Sequence, residues 1–261
     1  MKHLIKPPTH VLRNKCIEAI VDKLLPGRFL EIGSGVGEET KIFLRRAFYG
    51  VCCEVCEESR TALAGNLSEY KDKIKIVGDC DSLAPGTFDY LIIFDVLEHI
   101  EADADTLKYW TSFLKAGGIL LIAVPAHMNA LGKSDELMGH FRRYEKNGLF
   151  EIMTKSGYQS IKILSYGFPL INFTLKAINI IYKLAPKTIN EYKDIPSERK
   201  TMLSGAKSPD IISRFSFLFN DFMLFPFILM QKMFLGLDWG VAYVAYGKKT
   251  ENDRRLSHTK Q

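Results

Sequence analysis

A glycine-rich turn is the first part of the sequence whose residue types and spacing could do chemistry. Gly33, Gly35 and Gly37 alternate with other residues directly after the short apolar segment 28–32. Glycine lets a backbone bend sharply and lets a ligand approach where a Cβ atom would collide. A following helix would point its first amide groups at that ligand. The turn therefore predicts a site for a nucleotide-like cofactor, with a tight structural loop as the alternative.

Polar residues also follow the next three apolar segments. Glu54 ends the second segment, ~20 residues beyond the turn, where a carboxylate can accept both hydroxyls of a ribose. Asp79 and Cys80 end the third, where a side-chain acceptor and a backbone N–H could read an adenine edge. Asp95 and Val96 end the fourth. If the segments are parallel strands, these groups share one edge of the sheet.

Apolar segments and helical patterns alternate along the chain. Helical spacing over Thr9–Leu25 ends at Pro26-Gly27 and precedes the first strand. Strands are predicted at 28–32, up to 54, at 74–77, 88–94, 118–124, 161–166 and 241–246, and helices at about 38–47, 61–70, 105–114 and 146–155. Strands separated by helices of this length predict a parallel sheet covered on both faces. We divide the chain into an N-terminal helix (1–27), a core (28–167 and 239–250) and a helical insertion (168–238).

Five segments resemble the successive motifs of class I S-adenosylmethionine-dependent methyltransferases: 30–37, 52–59, 77–82, 88–100 and 114–125. The form DVLEHI at 95–100 is similar to that of the small-molecule subgroup, which includes ubiquinone-pathway O-methyltransferases. The resemblance implies a Rossmann-like, doubly wound α/β sheet, mostly parallel with an antiparallel last strand. It also implies that S-adenosylmethionine is the cofactor. The implied cofactor-binding residues are Glu31, Gly33, Ser34, Gly35, Gly37, Glu54, Asp79, Cys80, Asp95 and Val96.

The expected reaction is methyl transfer to a hydroxyl or amine of a small, fairly hydrophobic metabolite. This metabolite can also carry an acidic group. The protein must align the two substrates and provide a base for the acceptor proton. His99 and His140 are the predicted catalytic residues. The predicted substrate-binding residues lie in the loop 126–144 and are Asp135, Arg142, Arg143 and Tyr144. The alternatives are that His99 only packs its turn and that internal salt bridges order the loop.

The insertion is most apolar over Phe215–Leu237, a length that could cross a bilayer. Polar residues and a proline within it argue against a transmembrane span: Asn220, Asp221, Pro226, Gln231 and Lys232. We predict a helix buried over the acceptor pocket or in a homodimer interface. Contact with a membrane surface is the alternative, supported by Lys200, Lys207 and Arg214 upstream.

Composition narrows the partners of the 261-residue chain. A net charge of +5 permits an anionic substrate but does not predict a nucleic-acid partner. The five cysteines do not form a disulfide pattern, and the Cys53–Cys56 spacing has no second pair or nearby histidine. The N-terminus lacks the apolar run of a signal peptide. We therefore expect a cytoplasmic protein with reduced thiols and no metal site, with membrane association as the alternative localisation.

Three other functions are alternatives to methylation of a small molecule. Base amino-methyltransferases carry an Asn/Asp-Pro-Pro-aromatic motif after the fourth strand, where this chain has DVLE at 95–98. A NAD-dependent oxidoreductase is disfavoured because its G-x-G-x-x-G fingerprint is absent from the turn at 33–37. A non-catalytic, methyltransferase-like scaffold that binds a partner or membrane through its insertion stays open.

Overall fold

The computed structural model describes residues 8–175 and 221–251, and these contain a seven-stranded sheet. The strands are β1 Arg28–Ile32, β2 Tyr49–Cys53, β3 Ile74–Val77, β4 Phe88–Phe94, β5 Leu114–Pro125, β6 Tyr158–Tyr166 and β7 Ala242–Lys249. Their order is β3-β2-β1-β4-β5-β7-β6. Among these strands β7 alone runs opposite to the others: its pairs with β5 and β6 are antiparallel, and the remaining pairs are parallel. The predicted doubly wound sheet with an antiparallel last strand is confirmed.

The helices follow the predicted alternation. They are α1 Pro8–Val21, α2 Thr40–Leu44, α3 Glu57–Asn66, α4 Asp103–Thr111, α5 Lys133–Met138, α6 Lys146–Lys155 and α7 Asp221–Phe234. Boundaries differ from the predicted ones by up to four residues, as at β5, which begins at Leu114 and not at Gly118. Phe113 and Leu114 are buried in the core, so the chain leaves α4 early to enter the sheet. The register between β4 and β5 shifts at this point, and Gly117 and Gly118 lie within the strand.

Both faces of the sheet are covered, as the continuous apolar run of β4 predicts. Leu91 and Ile93 face a cluster that includes apolar residues of α4 and α6. Tyr90 and Ile92 face the opposite cluster, to which α1, α2 and α3 contribute. Since successive side chains of a strand point to opposite faces, β4 supplies both halves of the core.

A third apolar cluster joins α1 to the insertion. Leu12 of α1 packs with Ile171 and with Leu224 and Ile228 of α7. Gln231 of α7 is buried here; its Oε1 accepts from the Gly167 N–H at 2.9 Å and its Nε2 donates to the Leu12 carbonyl at 3.1 Å. A polar residue that argued against a membrane span thus connects α7 to the core.

Replacing Gln231 with leucine is expected to lower the free energy of unfolding by about 1–3 kcal/mol. The change leaves the buried Gly167 N–H without its acceptor, which costs about that much in a protein interior. The control is Gln159→Leu, an exposed position on β6, for which a change within about 0.5 kcal/mol is expected. Urea denaturation of both variants measures the difference. Equal losses would show that the buried amide contributes nothing specific.

The described parts of the insertion are residues 168–175, of which 170–175 are helical, and the segment from α7 to β7. No helix within the described ranges is long and apolar enough to cross a membrane. Lys200, Lys207, Arg214 and Asn220 lie outside the described residues. The division into helix, core and insertion stays a prediction.

Candidate active site

The predicted site residues gather where the strand order reverses. β1 and β4 are neighbours in the sheet, while the chain after β1 enters α2 on one face and the chain after β4 leads to α4 on the other. Such a switch point opens a crevice at the carboxyl ends of the strands, where ligands bind in open α/β sheets. The glycine turn follows β1, and Asp95 follows β4, so both border this crevice.

The glycine turn provides a backbone cradle. The Gly33 N–H donates to the Cys53 carbonyl at 2.8 Å, which ties the turn to the end of β2. Gly33 has a φ of +68°, and a Cβ there would lie 2.4 Å from Cγ2 of Val96. Gly35 has a φ of +51°, and a Cβ there would meet no atom within 4 Å. Gly33 therefore closes the packing below the turn, whereas Gly35 borders open space that a ligand can fill. The residues fit the cofactor that the sequence implies.

Glu54 lies at the rim of this cradle. Its carboxylate is largely buried and accepts from the Gly35 N–H at 2.8 Å and from the Cys56 N–H at 3.0 Å. These two bonds hold the carboxylate beside the turn at the end of β2. Its location is the one expected for a group that binds ribose hydroxyls in this class of sheet.

Glu31 and Ser34 support the turn from within the protein. The buried Glu31 carboxylate accepts from the Thr40 hydroxyl at 2.6 Å, and the Ser34 hydroxyl donates to the Glu31 carbonyl at 3.4 Å. Burial raises the pKa of Glu31 to about 8. A direct cofactor contact by either residue stays a prediction, because both side chains have partners inside the protein. Gly37 donates its N–H to the Ser34 carbonyl at 2.9 Å and so closes the turn.

Asp79 and Cys80 follow β3, at the same edge of the sheet. The Asp79 carboxylate accepts from the Asp81 N–H at 3.1 Å. The Cys80 Sγ lies 2.9 Å from the Cys53 Sγ at the end of β2, and both cysteines are free thiols. The two residues are therefore placed on the side of Glu54 away from β4, where an adenine ring would extend from the ribose.

Asp95 is paired with an arginine that the sequence did not indicate. Asp95 has a φ of +54°, and its carboxylate accepts from Arg13 of α1. Arg13 also donates to the Glu39 carboxylate at 2.5 Å and is only 3% exposed. This ion pair places a buried cation and two carboxylates at the β4 side of the cradle. The only sequence signal was a charged residue among the apolar positions of α1, and helical periodicity alone assigns such a residue to solvent.

His99 and His140 lie against one another. Their ring centroids are 4.8 Å apart in an edge-on arrangement. His140 contacts Asp135 through Nδ1 at 2.9 Å, and His99 contacts the Gly139 carbonyl through Nδ1 at 3.3 Å. Burial and the neighbouring His140 ring lower the pKa of His99 to about 4. His99 is therefore neutral at neutral pH, as a proton acceptor must be.

The other predicted acceptor residues are engaged inside their own loop. Asp135 is buried and also accepts from Arg143 Nε at 2.9 Å, and Arg143 donates to the Ala126 carbonyl. Arg142 pairs with Asp103 at 2.9 Å, and the buried Tyr144 hydroxyl donates to the same carboxylate at 2.8 Å. These contacts favour the ordered-loop alternative over a clamp on the acceptor, because the cations already have anionic partners.

Comparisons with known proteins agree with this geometry. Residues 30–122 match a family model described as a methyltransferase domain. A search of curated protein sequences gave no significant match. The matched segment runs from within β1 into β5 and so contains the glycine turn, Glu54 and Asp95, but not Arg13 or His140.

Solved structures share the fold at low sequence identity. Phosphoethanolamine N-methyltransferase 2 of Haemonchus contortus, solved with S-adenosyl-L-methionine, has a TM-score of 0.57 and 18% identity over 91% of this chain. The chain spans 52% of that enzyme's length. A Galdieria sulphuraria protein provisionally named a sarcosine dimethylglycine methyltransferase has a TM-score of 0.56 and 12% identity, covering 92% of this chain and 86% of its own.

The fold alone does not specify methyl transfer. The cyclase SpnF has a TM-score of 0.54 and 15% identity, covering 90% of this chain and 81% of its own. The family match over residues 30–122, with its glycine turn and strand-end carboxylates, is the more specific finding. Together, these findings show a methyltransferase-domain match over residues 30–122 and a fold shared with S-adenosylmethionine-dependent methyltransferases.

Proposed function

We propose that the protein transfers a methyl group to a hydroxyl or amine of a small, fairly hydrophobic acceptor. The observation that carries the acceptor class is the surroundings of His140, where the loop presents exposed Met138 and Phe141 beside two clustered imidazoles. Apolar surface around a few polar groups is typical of small-molecule sites. The names of the Haemonchus and Galdieria neighbours refer to small amines, which supports the same class.

The cofactor supplies a methyl group already activated on a sulfonium, so the protein's part is mainly alignment. In our proposal Gly35 and Glu54 hold the ribose, while Asp95 and Arg13 hold the ammonium and carboxylate of the methionine end. Arg13 also donates to Asp95 itself, so the two groups neutralise one another within the protein. His99 and His140 face the acceptor, where a neutral imidazole can remove its proton.

The role of the insertion is the less specific part of the proposal. α7 exposes Phe225, Leu229 and Met233, which lie four residues apart on one side of the helix. This face supports an acceptor cap, a homodimer contact or contact with a membrane surface. A non-catalytic protein that binds a partner or membrane would use the same face. A measurement of methyl transfer distinguishes such a protein from an enzyme.

Replacing Glu54 with glutamine is expected to raise the Kd for S-adenosylmethionine about 30-fold or more. The change removes the charge of the group that is expected to accept hydrogen bonds from both ribose hydroxyls. Each of these two bonds is worth about 1 kcal/mol more when the acceptor is ionised. Glu57→Gln is the matched control, an exposed carboxylate in the first turn of α3, and should bind like the wild type. Titration calorimetry measures both. Equal affinities in the two variants would remove Glu54 from the cofactor site.

The acceptor class is tested by following the methyl group. Wild-type protein is incubated with methyl-labelled S-adenosylmethionine and host extract, and label is counted in lipid-extractable, aqueous small-molecule and macromolecular fractions. We expect label in one of the two small-molecule fractions and its loss with Glu54→Gln. Label confined to macromolecules would contradict the acceptor class, and no transfer by a protein that binds the cofactor would favour the scaffold.

A further inference from the structure

Three metal-ligand groups converge beside the methionine end of the candidate cofactor site. Glu98 and His99 lie in the 3-10 turn after β4, and His140 reaches them from the loop after α5. One donor atom from each lies within 4.8 Å of the others, and His140 Nε2 is 4.0 Å from Glu98 Oε1. We propose that Glu98, His99 and His140 bind a divalent transition-metal ion.

The hydrogen bonds of the two histidines orient them as ligands. A carbonyl oxygen can only accept, so the contact of His99 Nδ1 with Gly139 places the proton on Nδ1 and leaves Nε2 with a lone pair. The contact of His140 Nδ1 with the Asp135 carboxylate does the same for His140. Metal-binding histidines are characteristically fixed in this way, by a carboxylate or carbonyl on the other ring nitrogen.

Glu98 gives an independent indication of a missing partner. Its side chain is 1% exposed, and its Oε2 atom has no hydrogen-bond partner among the described residues. Buried carboxylate oxygens are otherwise almost always bonded, because an unpaired one costs about 1–3 kcal/mol or more. The carboxylate is directed at the two imidazoles, so a cation between the three groups would satisfy it.

The donor set selects the class of ion. Two imidazoles and one carboxylate are typical of zinc and of iron(II) and manganese(II) sites with open positions, whereas magnesium and calcium prefer all-oxygen sites. Ligand distances of about 2.1 Å require these groups to close by roughly 1 Å. The open positions would take an oxygen of the acceptor, and this part of the inference rests on the proposed function. The cysteine spacing predicts no metal site, and it carries no information on a cluster of histidines with a carboxylate.

A metal changes what the histidines do. Their Nε2 lone pairs would hold the ion, so neither ring would take the acceptor's proton directly. The alternative occupant of the cluster is a proton: burial raises the pKa of Glu98 to about 8, and a neutral carboxylic acid needs no cation. A titration with metal ions distinguishes the two cases, because a cluster that is satisfied by the proton on Glu98 would not take up an ion.

The test begins with chelator-treated full-length protein, which is titrated with Co²⁺ and Zn²⁺ in the absence of S-adenosylmethionine. We expect about one ion per chain, a visible Co²⁺ absorption band typical of mixed nitrogen and oxygen ligands, and displacement of Co²⁺ by Zn²⁺. Failure of the wild-type protein to bind either ion above the level of a histidine-free carrier protein would overturn the proposal, whatever the variants do.

Variants then assign the ligands. Glu98→Gln and His140→Gln should each weaken Co²⁺ binding at least 10-fold, and Asp135→Asn about 10-fold or more through His140. The control is His127→Asn, a histidine after β5 outside the cluster, which should keep wild-type binding. Circular dichroism and titration with S-adenosylmethionine on the metal-free variants show whether they fold and keep the cofactor site. Metal binding that survives both ligand changes would place the ion elsewhere. Failure of the metal-free wild-type protein to bind S-adenosylmethionine would fault the proposed function and not the metal site.

Discussion

Replacing Gly35 with alanine is expected to raise the Kd for S-adenosylmethionine at least 100-fold, about 2.7 kcal/mol, while the protein stays folded. The Cβ of an alanine there would meet no protein atom within 4 Å, so the change leaves the packing of the turn intact. It would instead occupy the space in which the cofactor must approach the backbone. The φ of +51° adds a strain of about 1–2 kcal/mol to the fold.

The chain contains a matched control for that strain. Gly86 has a φ of +63° and open space around its would-be Cβ, but it lies before β4, at the opposite edge of the sheet. Gly86→Ala should therefore lose the same stability and keep the wild-type Kd. Thermal unfolding and titration calorimetry on both variants separate the two effects. If both variants bind the cofactor equally well, the cradle at Gly35 is not its binding site.

Replacing Arg13 with methionine is expected to lower the free energy of unfolding by about 3 kcal/mol, the lower end of the range for breaking a buried pair. Methionine fills much of the same volume but leaves the carboxylates of Asp95 and Glu39 without their shared cation. Asp95 is 40% exposed and can turn partly to solvent, which keeps the expected loss at the lower end.

Arg46→Met provides the comparison for Arg13→Met. Arg46 pairs with Asp22 at 2.5 Å, but Asp22 is 58% exposed, so this ion pair should contribute less than about 1 kcal/mol. Urea denaturation at one pH and ionic strength measures both losses. The stability of Arg13→Lys should lie between those of the wild type and Arg13→Met. An ammonium keeps the positive charge but cannot bridge both carboxylates as the planar guanidinium does. If both methionine variants lost the same small amount of unfolding free energy, the burial of Arg13 would add nothing to the strength of its ion pairs.

The elements that the sequence predicted best are those with local signals at both ends. β1 lies between Pro26-Gly27 and the glycine turn, and its predicted and observed bounds coincide. β4 is a continuous apolar run, which is typical of a strand covered on both faces, and its bounds also coincide. The order of the cofactor motifs along the chain then indicated which strand ends would meet.

The parts that escaped prediction depend on contacts between residues far apart in the chain. Arg13 and Asp95 are 82 residues apart, and no local pattern marks them as a pair. For Arg142, the sequence left an acceptor clamp and an internal salt bridge open, because its partner Asp103 lies in a distant part of the chain. The convergence of Glu98 with His140 depends on how the loop after α5 folds back over β4, and spacing along the chain contains no such information.

The position of Arg13 has a consequence for the energetics of the whole molecule. The same helix provides the cation beside Asp95 and, through Leu12, the contacts to α7 and its Gln231. A ligand that binds to Arg13 is therefore bound only while α1 is packed on the core. Its binding free energy adds to the free energy that holds α1 and α7 in place. Thermodynamic linkage then runs in both directions. Whatever loosens α7 from α1 would weaken the binding of such a ligand, and a saturating concentration of the ligand would disfavour the local opening of α7, a helix that Arg13 is not part of.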